Sequence, residues 1–233
     1  MPYLHLEYLQ VPNQDQLLWR YLDFAKFTYL IRNQSLYFPS LTQLLSADPW
    51  EGLPSPLNFD YPDPIMDKLH KESHFGVRKT MFVNCWHIND GESDSQWKIY
   101  GRDTMSLAIV TRFTNLAQAI SDPKKIHGSV LSYYDPKKER TSELVIEQAL
   151  SKRKAFEHEK EFRLFIWDHK LLKEEHPPEG LVVAINIKML IEKIIINPLA
   201  PQWFIELVGA VLNDYGLEKI CVERSTILES LAY

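Results

Sequence analysis

An α+β fold in a single domain spanning residues 1–233, with a mixed, largely antiparallel sheet flanked by helices, is what this sequence predicts. Three observations carry the prediction. Apolar runs of strand length recur along the chain, among them LLWRYLD, MFVNCWH, TMSLAIVTRF and KIIINP. Between them stand segments whose apolar residues fall three and four apart, the helical spacing. No repeat, low-complexity tract or linker divides the 233 residues, and 45% of them are hydrophobic, enough for a packed core.

The elements follow in order. Leu17–Asp23 is a strand of aromatic and apolar residues, and Phe24–Gln34 is a helix with Phe24, Phe27, Leu30 and Ile31 on one face. Ser35–Ser40 is a second strand, stopped by Pro39. A helical turn and a proline-punctuated loop run on from Leu41. Residues 57–80 are Pro-rich, then helical from about Asp63, and form a candidate inserted segment. Met81–His87 is a buried strand, followed by a turn and a short helix from Glu92 to Tyr100 with Ser93 near its N-cap. TMSLAIVTRF is a strand, and TNLAQAIS is a helix capped by Thr114. HGSVLSYYD is a strand. TSELVIEQALSKRKAFEH is expected to be one amphipathic helix with Leu144, Val145, Ala149 and Leu150 inward. LVVAINI and KIIINP are strands, PQWFIELVGAVLNDYG is a helix opened by Pro201 and closed by Gly216, and KICVERS is the last strand.

The stretch FEHEKEFRLFIWD, Phe156 to Asp168, turns from charged to apolar within a few residues. Alternation along a strand would place Glu159, Glu161, Arg163 and Phe165 on one face, and Lys160, Phe162, Leu164 and Ile166 on the core side. Two carboxylates and a guanidinium then line up at roughly 6–7 Å spacing. Such a row is either a set of solvated ion pairs or the acidic edge of a site.

Composition narrows the function. The net charge of −5 argues against a protein that reads a nucleic-acid backbone through a large basic surface. Eight glycines form no phosphate-cradling loop. Two cysteines suggest no disulfide framework and point to the reducing cytoplasm. The N-terminus lacks the basic start and apolar run of a signal peptide. No apolar run reaches the ~20 residues a membrane helix needs, so no membrane partner is expected.

Several residues are chemical candidates. Arg20 interrupts an apolar strand, and a buried arginine needs an anionic partner, either structural or a ligand's. Cys85 and His87 lie at i and i+2 on one strand face, a nucleophile–base spacing with no third orienting group, so Cys85 also reads as a small apolar core residue. His70 and His74 lie at i and i+4 without the remaining ligands of a coordination set, and no metal is expected. Ser93 and Trp97 read as an N-cap and a core anchor or as parts of a site. Asp48, Trp50 and Glu51 sit in a DPWEG loop, a structured turn or a ligand wall.

In the order of these motifs the chain resembles the domain of unknown function 2971 family of bacteria. The match lies in the Asp48–Glu51 loop, the Ser93–Tyr100 segment and the Glu159–Arg163 strand, and it spans most of the chain. The segment after Tyr100, GRDTM, departs from the pattern. That family implies no activity. More distantly, the element order is similar to that of ADP-ribosyltransferases: a strand bearing Arg20, a step with Ser93, Trp97 and Tyr100, then a strand opening on Glu159-Lys160-Glu161. This resemblance implies NAD as a co-substrate without a tightly bound cofactor, and a role in phage defence or toxicity. It further implies that Arg20 holds the pyrophosphate and that Ser93, Trp97 and Tyr100 help bind NAD, aromatic rings stacking on the nicotinamide. Glu161 would bind the ribose hydroxyl and stabilise the oxocarbenium-like state, and Glu159 would orient or deprotonate a protein or nucleic-acid acceptor. Two alternatives stand beside it. One is a non-catalytic ligand- or partner-binding protein on the same fold. The other is a metal-dependent nuclease or hydrolase gathering Mg²⁺ through Asp48, Glu51, Glu159 and Glu161.

Overall fold

The computed structural model describes residues 3–59, 63–142 and 144–229, the side chains of His70 and Val145 excepted. The expected roles of those two side chains thus fall outside the described residues. The chain opens with β1 (Leu17–Asp23), α1 (Phe24–Asn33) and β2 (Ser35–Pro39). A 3-10 turn, Leu41–Ser46, precedes α2 (Pro64–Thr80), β3 (Met81–Ile88), α3 (Asp94–Tyr100), β4 (Ser106–Arg112) and α4 (Phe113–Ala119). Next come β5 (His127–Val130), β6 (Ser132–Tyr134), α5 (Val145–Gln148), β7 (Ser151–Arg153), a 3-10 turn over Lys154–Glu159, and β8 (Glu161–Trp167). The chain ends with β9 (Gly180–Ala184), α6 (Ile187–Leu190), β10 (Lys193–Ile196), α7 (Gln202–Asp214) and β11 (Cys221–Arg224).

The expected α+β architecture is present. A seven-stranded sheet runs in the order β11-β10-β4-β1-β3-β8-β5, and every neighbouring pair is antiparallel except β10–β11. Local chemistry explains the helix starts. Asp23 accepts the amide of Lys26 at the head of α1, and Ser93 accepts that of Gln96 at the head of α3. Gln34 closes α1 in the left-handed conformation, φ 44°.

Three expected elements differ. The helix foreseen over Thr141–His158 shrinks to the single turn of α5. Burying Ala149 and Leu150 in a small apolar cluster turns the chain into β7 instead, which pairs with β6. HGSVLSYYD divides at Leu131 into β5, on the main sheet, and β6, on a separate two-stranded ladder. Thr114 does not cap α4: it lies inside the helix, and its hydroxyl donates to the Gln14 carbonyl.

The large sheet is apolar on both faces. On the first, Leu18, Leu22, Phe82, Trp86, Ile109, Phe162 and Leu164 pack in one cluster with Phe27 and Ile31 of α1, Leu116 of α4 and Phe204 of α7. On the second, Trp19, Tyr21 and Trp97 form one cluster, while Met81, Val83 and Phe165 belong to another with Leu41 and Val77. Between these two clusters the register sets polar groups. Trp19 pairs with His87, His87 with Glu161, and Cys85 with Arg163.

The sheet is not continuous across its centre. Strand β1 pairs with β4 along all seven residues, and β3 with β8 from Met81 to His87. Between β1 and β3, pairing is confined to Leu18↔Ile88 and Trp19↔His87. Beyond that point the strands part, and the edge of β3 meets the end of β2, where Ser40 bridges Phe82 and Asn84 donates to the Tyr37 carbonyl. A cleft occupies the opening.

Candidate active site

The cleft has a volume of about 340 Å³, within the range of small-molecule sites. Residues 19–22 of β1 form one wall and Val83, Cys85, Trp86 and His87 of β3 the other. Trp19, Tyr21, Trp86, Tyr100 and Phe156 give it aromatic sides. Its floor holds Glu51, Lys152, Glu159, Glu161 and Arg163.

The floor is a buried ion-pair network. Arg163 is fully buried; its Nε donates to Glu161 at 2.7 Å and its Nη1 to Glu51 and to the Ala149 carbonyl, both at 2.8 Å. Lys152 Nζ sits 2.5 Å from Glu159, 3.4 Å from Glu161 and 3.6 Å from Glu51. Three carboxylates meet two cations, so one negative charge is in excess when all three are ionised. Burial alone would raise the Glu161 carboxyl, but Arg163 and Lys152 outweigh it and hold it at about 2. Burial pushes Glu159 upward, with Lys152 pulling against it.

Glu159 and Glu161 reach the same lysine because of the backbone between them. Glu159 belongs to the 3-10 turn and not to the strand, as alternation had placed it. Lys160 adopts φ 39°, which reverses the chain before β8 begins. A side chain in that conformation costs about 1 kcal/mol, and the gathered ion pairs offset it. The Tyr133 hydroxyl then accepts the Glu161 amide at 2.8 Å, fixing the start of the strand.

The DPWEG loop supplies the far side of the network. Asp48 accepts Arg153 Nη2 at 2.5 Å, while Arg78 of α2 straps the loop by donating to the carbonyls of Pro49 and Glu51. This strap ties the segment foreseen as an insertion to the site. Gly52 lies at φ 69°, and an added Cβ would meet the Leu41 side chain at 2.8 Å, so glycine closes the loop there at the least cost.

Arg20 stands on the opposite wall. Its guanidinium lies 5.7 Å from the Trp86 ring, whose Nε1 is anchored to Asn84. Among the described residues no carboxylate pairs with it, and its Nη1 is buried without a hydrogen-bond partner. Burial lowers its pKa to about 10, which leaves it charged at neutral pH. Arg20 is half-buried, and a partly desolvated cation without an anion is costly unless a ligand provides one.

Of the other sequence candidates, His87 and Tyr100 line the cleft, Tyr100 at its half-exposed mouth. Cys85 lines it too, but burial and the neighbouring Glu161 push its thiol up, away from a nucleophilic thiolate. Trp50, Ser93 and Trp97 lie outside the lining. Trp50 stacks under Arg153, 5.3 Å from ring to guanidinium. Ser93 caps α3, and Trp97 is a core anchor whose Nε1 donates to Glu92. His74 is buried beside Phe59. Among the described residues, no group of three or more His, Cys, Asp or Glu side chains could hold a metal ion, and no helix is long and apolar enough to cross a membrane.

Lys152, Phe156 and Gln96 are among the lining residues that the sequence does not single out. Gln96 is buried, and its Nε2 has no hydrogen-bond partner. No periodicity marks these residues, because Lys152 and Phe156 fall in the stretch expected as helix and Gln96 directly follows the polar run Gly91–Ser95.

The network predicts an acid sensitivity. Because the folded-state pKa of Glu161 is depressed, to about 2 against about 4.3 unfolded, its contribution is fully present above about pH 5 and disappears as pH falls from ~4.5 towards 2. The amount is about 2–3 kcal/mol. Glu159, shifted upward, acts in the opposite sense at higher pH, so the Glu161 effect is read below pH 4.5. Urea unfolding between pH 5 and 2.5 should show the decline, and in Glu161→Gln the slope should be smaller. An identical slope in the variant would remove Glu161 as its source.

No family model, curated protein or solved structure matches the chain.

Proposed function

We propose that the chain is an NAD-consuming enzyme of the ADP-ribosyl-transfer type, working in the cytoplasm with NAD as co-substrate and no tightly held cofactor. One observation carries the proposal. Arg20, a half-buried cation whose Nη1 is buried without a hydrogen-bond partner, and a buried carboxylate held ionised, Glu161, line a single cleft with aromatic walls. NAD matches both charges. Its pyrophosphate is the anion Arg20 lacks. Its nicotinamide ribosyl carbon becomes cationic as the C–N bond breaks and the electron pair leaves with the ring nitrogen. The ionised Glu161 carboxylate faces that carbon, adding to the floor's excess negative charge when Glu51 and Glu159 are ionised too, and accepts a hydrogen bond from the ribose. The aromatic sides suit the flat nicotinamide ring, Tyr100 among them.

The four acids of the metal-dependent alternative, Asp48, Glu51, Glu159 and Glu161, do gather at the cleft, but Arg153, Arg163 and Lys152 already hold their oxygens. That arrangement favours stabilising a cationic carbon over collecting Mg²⁺. The sequence resemblance to the family of unknown function is compatible with this proposal and assigns no chemistry of its own. A protein or nucleic-acid acceptor, or water, would receive the ADP-ribose, and NAD loss in cells expressing the chain would test the suggested place in phage defence or toxicity.

The test is nicotinamide release from NAD by the purified protein, with and without cell lysate. Release is expected, and lysate should increase it if the acceptor is macromolecular. No release under either condition would leave the non-catalytic binding protein as the better account.

A further inference from the structure

Within the NAD chemistry just proposed, on which this inference rests, Glu159 is a poor candidate for the base that activates the acceptor. Lys152 Nζ holds its carboxylate at 2.5 Å, and its backbone carbonyl is engaged as well. That carbonyl lies 2.6 Å from His87 Nδ1. A carbonyl only accepts, so Nδ1 carries the hydrogen and Nε2 of the neutral ring keeps its lone pair. Nε2 is buried and has no hydrogen-bond partner, and His87 is only 6% exposed. His87 lines the cleft and is the cross-strand partner of Glu161, which places their Cβ atoms about 4.5–5.5 Å apart on the same sheet face. Tyr21 packs edge-on against the ring from β1 at 6.4 Å and fixes its plane.

We propose that His87, through Nε2, is the base for the incoming nucleophile. As water or an acceptor hydroxyl attacks the ribosyl carbon, its oxygen forms the new C–O bond and its proton passes to Nε2. The C–N bond breaks, and neutral nicotinamide leaves with the electron pair. The imidazolium then releases its proton to solvent. No oxidant, metal or further co-reactant is required, and the tautomer needed is the one the Glu159 carbonyl imposes.

The experiment measures nicotinamide release and NAD affinity in the unmodified protein, in His87→Asn and in His87→Ala. The Asn amide can still donate to the Glu159 carbonyl but has no base in the Nε2 position. Turnover should fall about 10²–10⁴-fold in both variants, with the NAD Kd within about threefold. Added imidazole should recover part of the turnover in His87→Ala, whose side-chain space can admit it. Turnover within about threefold of the unmodified protein in His87→Asn overturns the assignment of the base and leaves the NAD reading standing. So does a loss that imidazole cannot recover together with weakened NAD binding, since that pattern is structural. If the unmodified protein itself releases no nicotinamide, the parent reading fails and this inference falls with it.

Discussion

Glu161→Gln is expected to abolish nicotinamide release and to destabilise the protein in the same stroke. From the sequence alone the change looks mild, an isosteric swap at the edge of a strand. The structure gives it a second consequence. Glu161 is 4% exposed, accepts Arg163 Nε at 2.7 Å and lies 3.4 Å from Lys152. A neutral amide leaves Arg163 with Glu51, and Lys152 with Glu51 and Glu159, so neither cation is stranded. The cost should therefore fall below the ~3–5 kcal/mol of breaking an isolated buried pair, at about 2 kcal/mol. The loss of turnover comes from elsewhere. The amide removes the negative charge facing the ribosyl carbon, and losing one preorganised electrostatic contact costs about 10²–10³ in rate. Here the variant also loses the floor's single excess charge, so a drop of about 10³-fold or more is expected. Urea unfolding and nicotinamide release on one preparation separate the two effects. Leu212→Ala is the control, because Leu212 is buried in α7, outside the cleft, and its truncation costs about 2–5 kcal/mol. Provided it folds, it should keep its turnover. A Glu161→Gln protein with full turnover would remove Glu161 from the chemistry, and one with unchanged stability would mean that the network contributes little.

How much of this was legible in the sequence differs between fold and site. Alternation and helical spacing mark segments whose burial is decided locally, which is why β1, β3, β4 and α7 stand close to where the residues put them. Arg20, Glu161 and Arg163 were visible as charges interrupting apolar strands, because a buried charge is conspicuous against its neighbours. Lys152 was invisible for the opposite reason: in SKRKAFEHEK it is one charge among many. Its importance comes from β7 pairing with β6 and from the left-handed Lys160, neither of which leaves a periodic trace. Trp97 shows the converse. Its position in a motif suggested a stacking platform, yet its ring is 5% exposed and packs 4.8 Å from Tyr21. A tryptophan on a seven-residue helix is the readiest way to bury that helix, and nothing in the sequence distinguishes the two uses. The cleft itself depends on where β1 and β3 stop pairing, a property of two strands more than sixty residues apart.

Arg20→Met is expected to make the protein more stable and NAD binding weaker. A structural arginine would behave in the opposite way. Truncating one that is paired with a carboxylate strands the partner and costs several kcal/mol. Among the described residues Arg20 has no such partner to strand: Trp86 is the ring it lies over, and its Nη1 is buried without a hydrogen-bond partner. Methionine keeps the length and an apolar stem on the strand face that Arg20 shares with Leu18 and Leu22, while removing the partly desolvated charge. The gain should be about 1 kcal/mol, the cation–π contact having offset part of the desolvation cost. The ligand pays for the change: a charge-assisted hydrogen bond to phosphate is worth about 1.5–3 kcal/mol, so NAD affinity should fall about 10–100-fold. Both readouts come from unfolding curves with and without NAD, since a ligand at a hundred times its Kd stabilises the folded state by about 2.7 kcal/mol. The unmodified protein should gain from NAD, and Arg20→Met should start higher and gain little. A variant that is less stable without NAD would make Arg20 a structural residue whose partner is the sheet itself. One that is more stable yet binds NAD unchanged would place the pyrophosphate elsewhere in the cleft. Of the two measurements, stability without ligand is the more informative, because a site that costs the fold free energy when empty is one maintained for something that fills it.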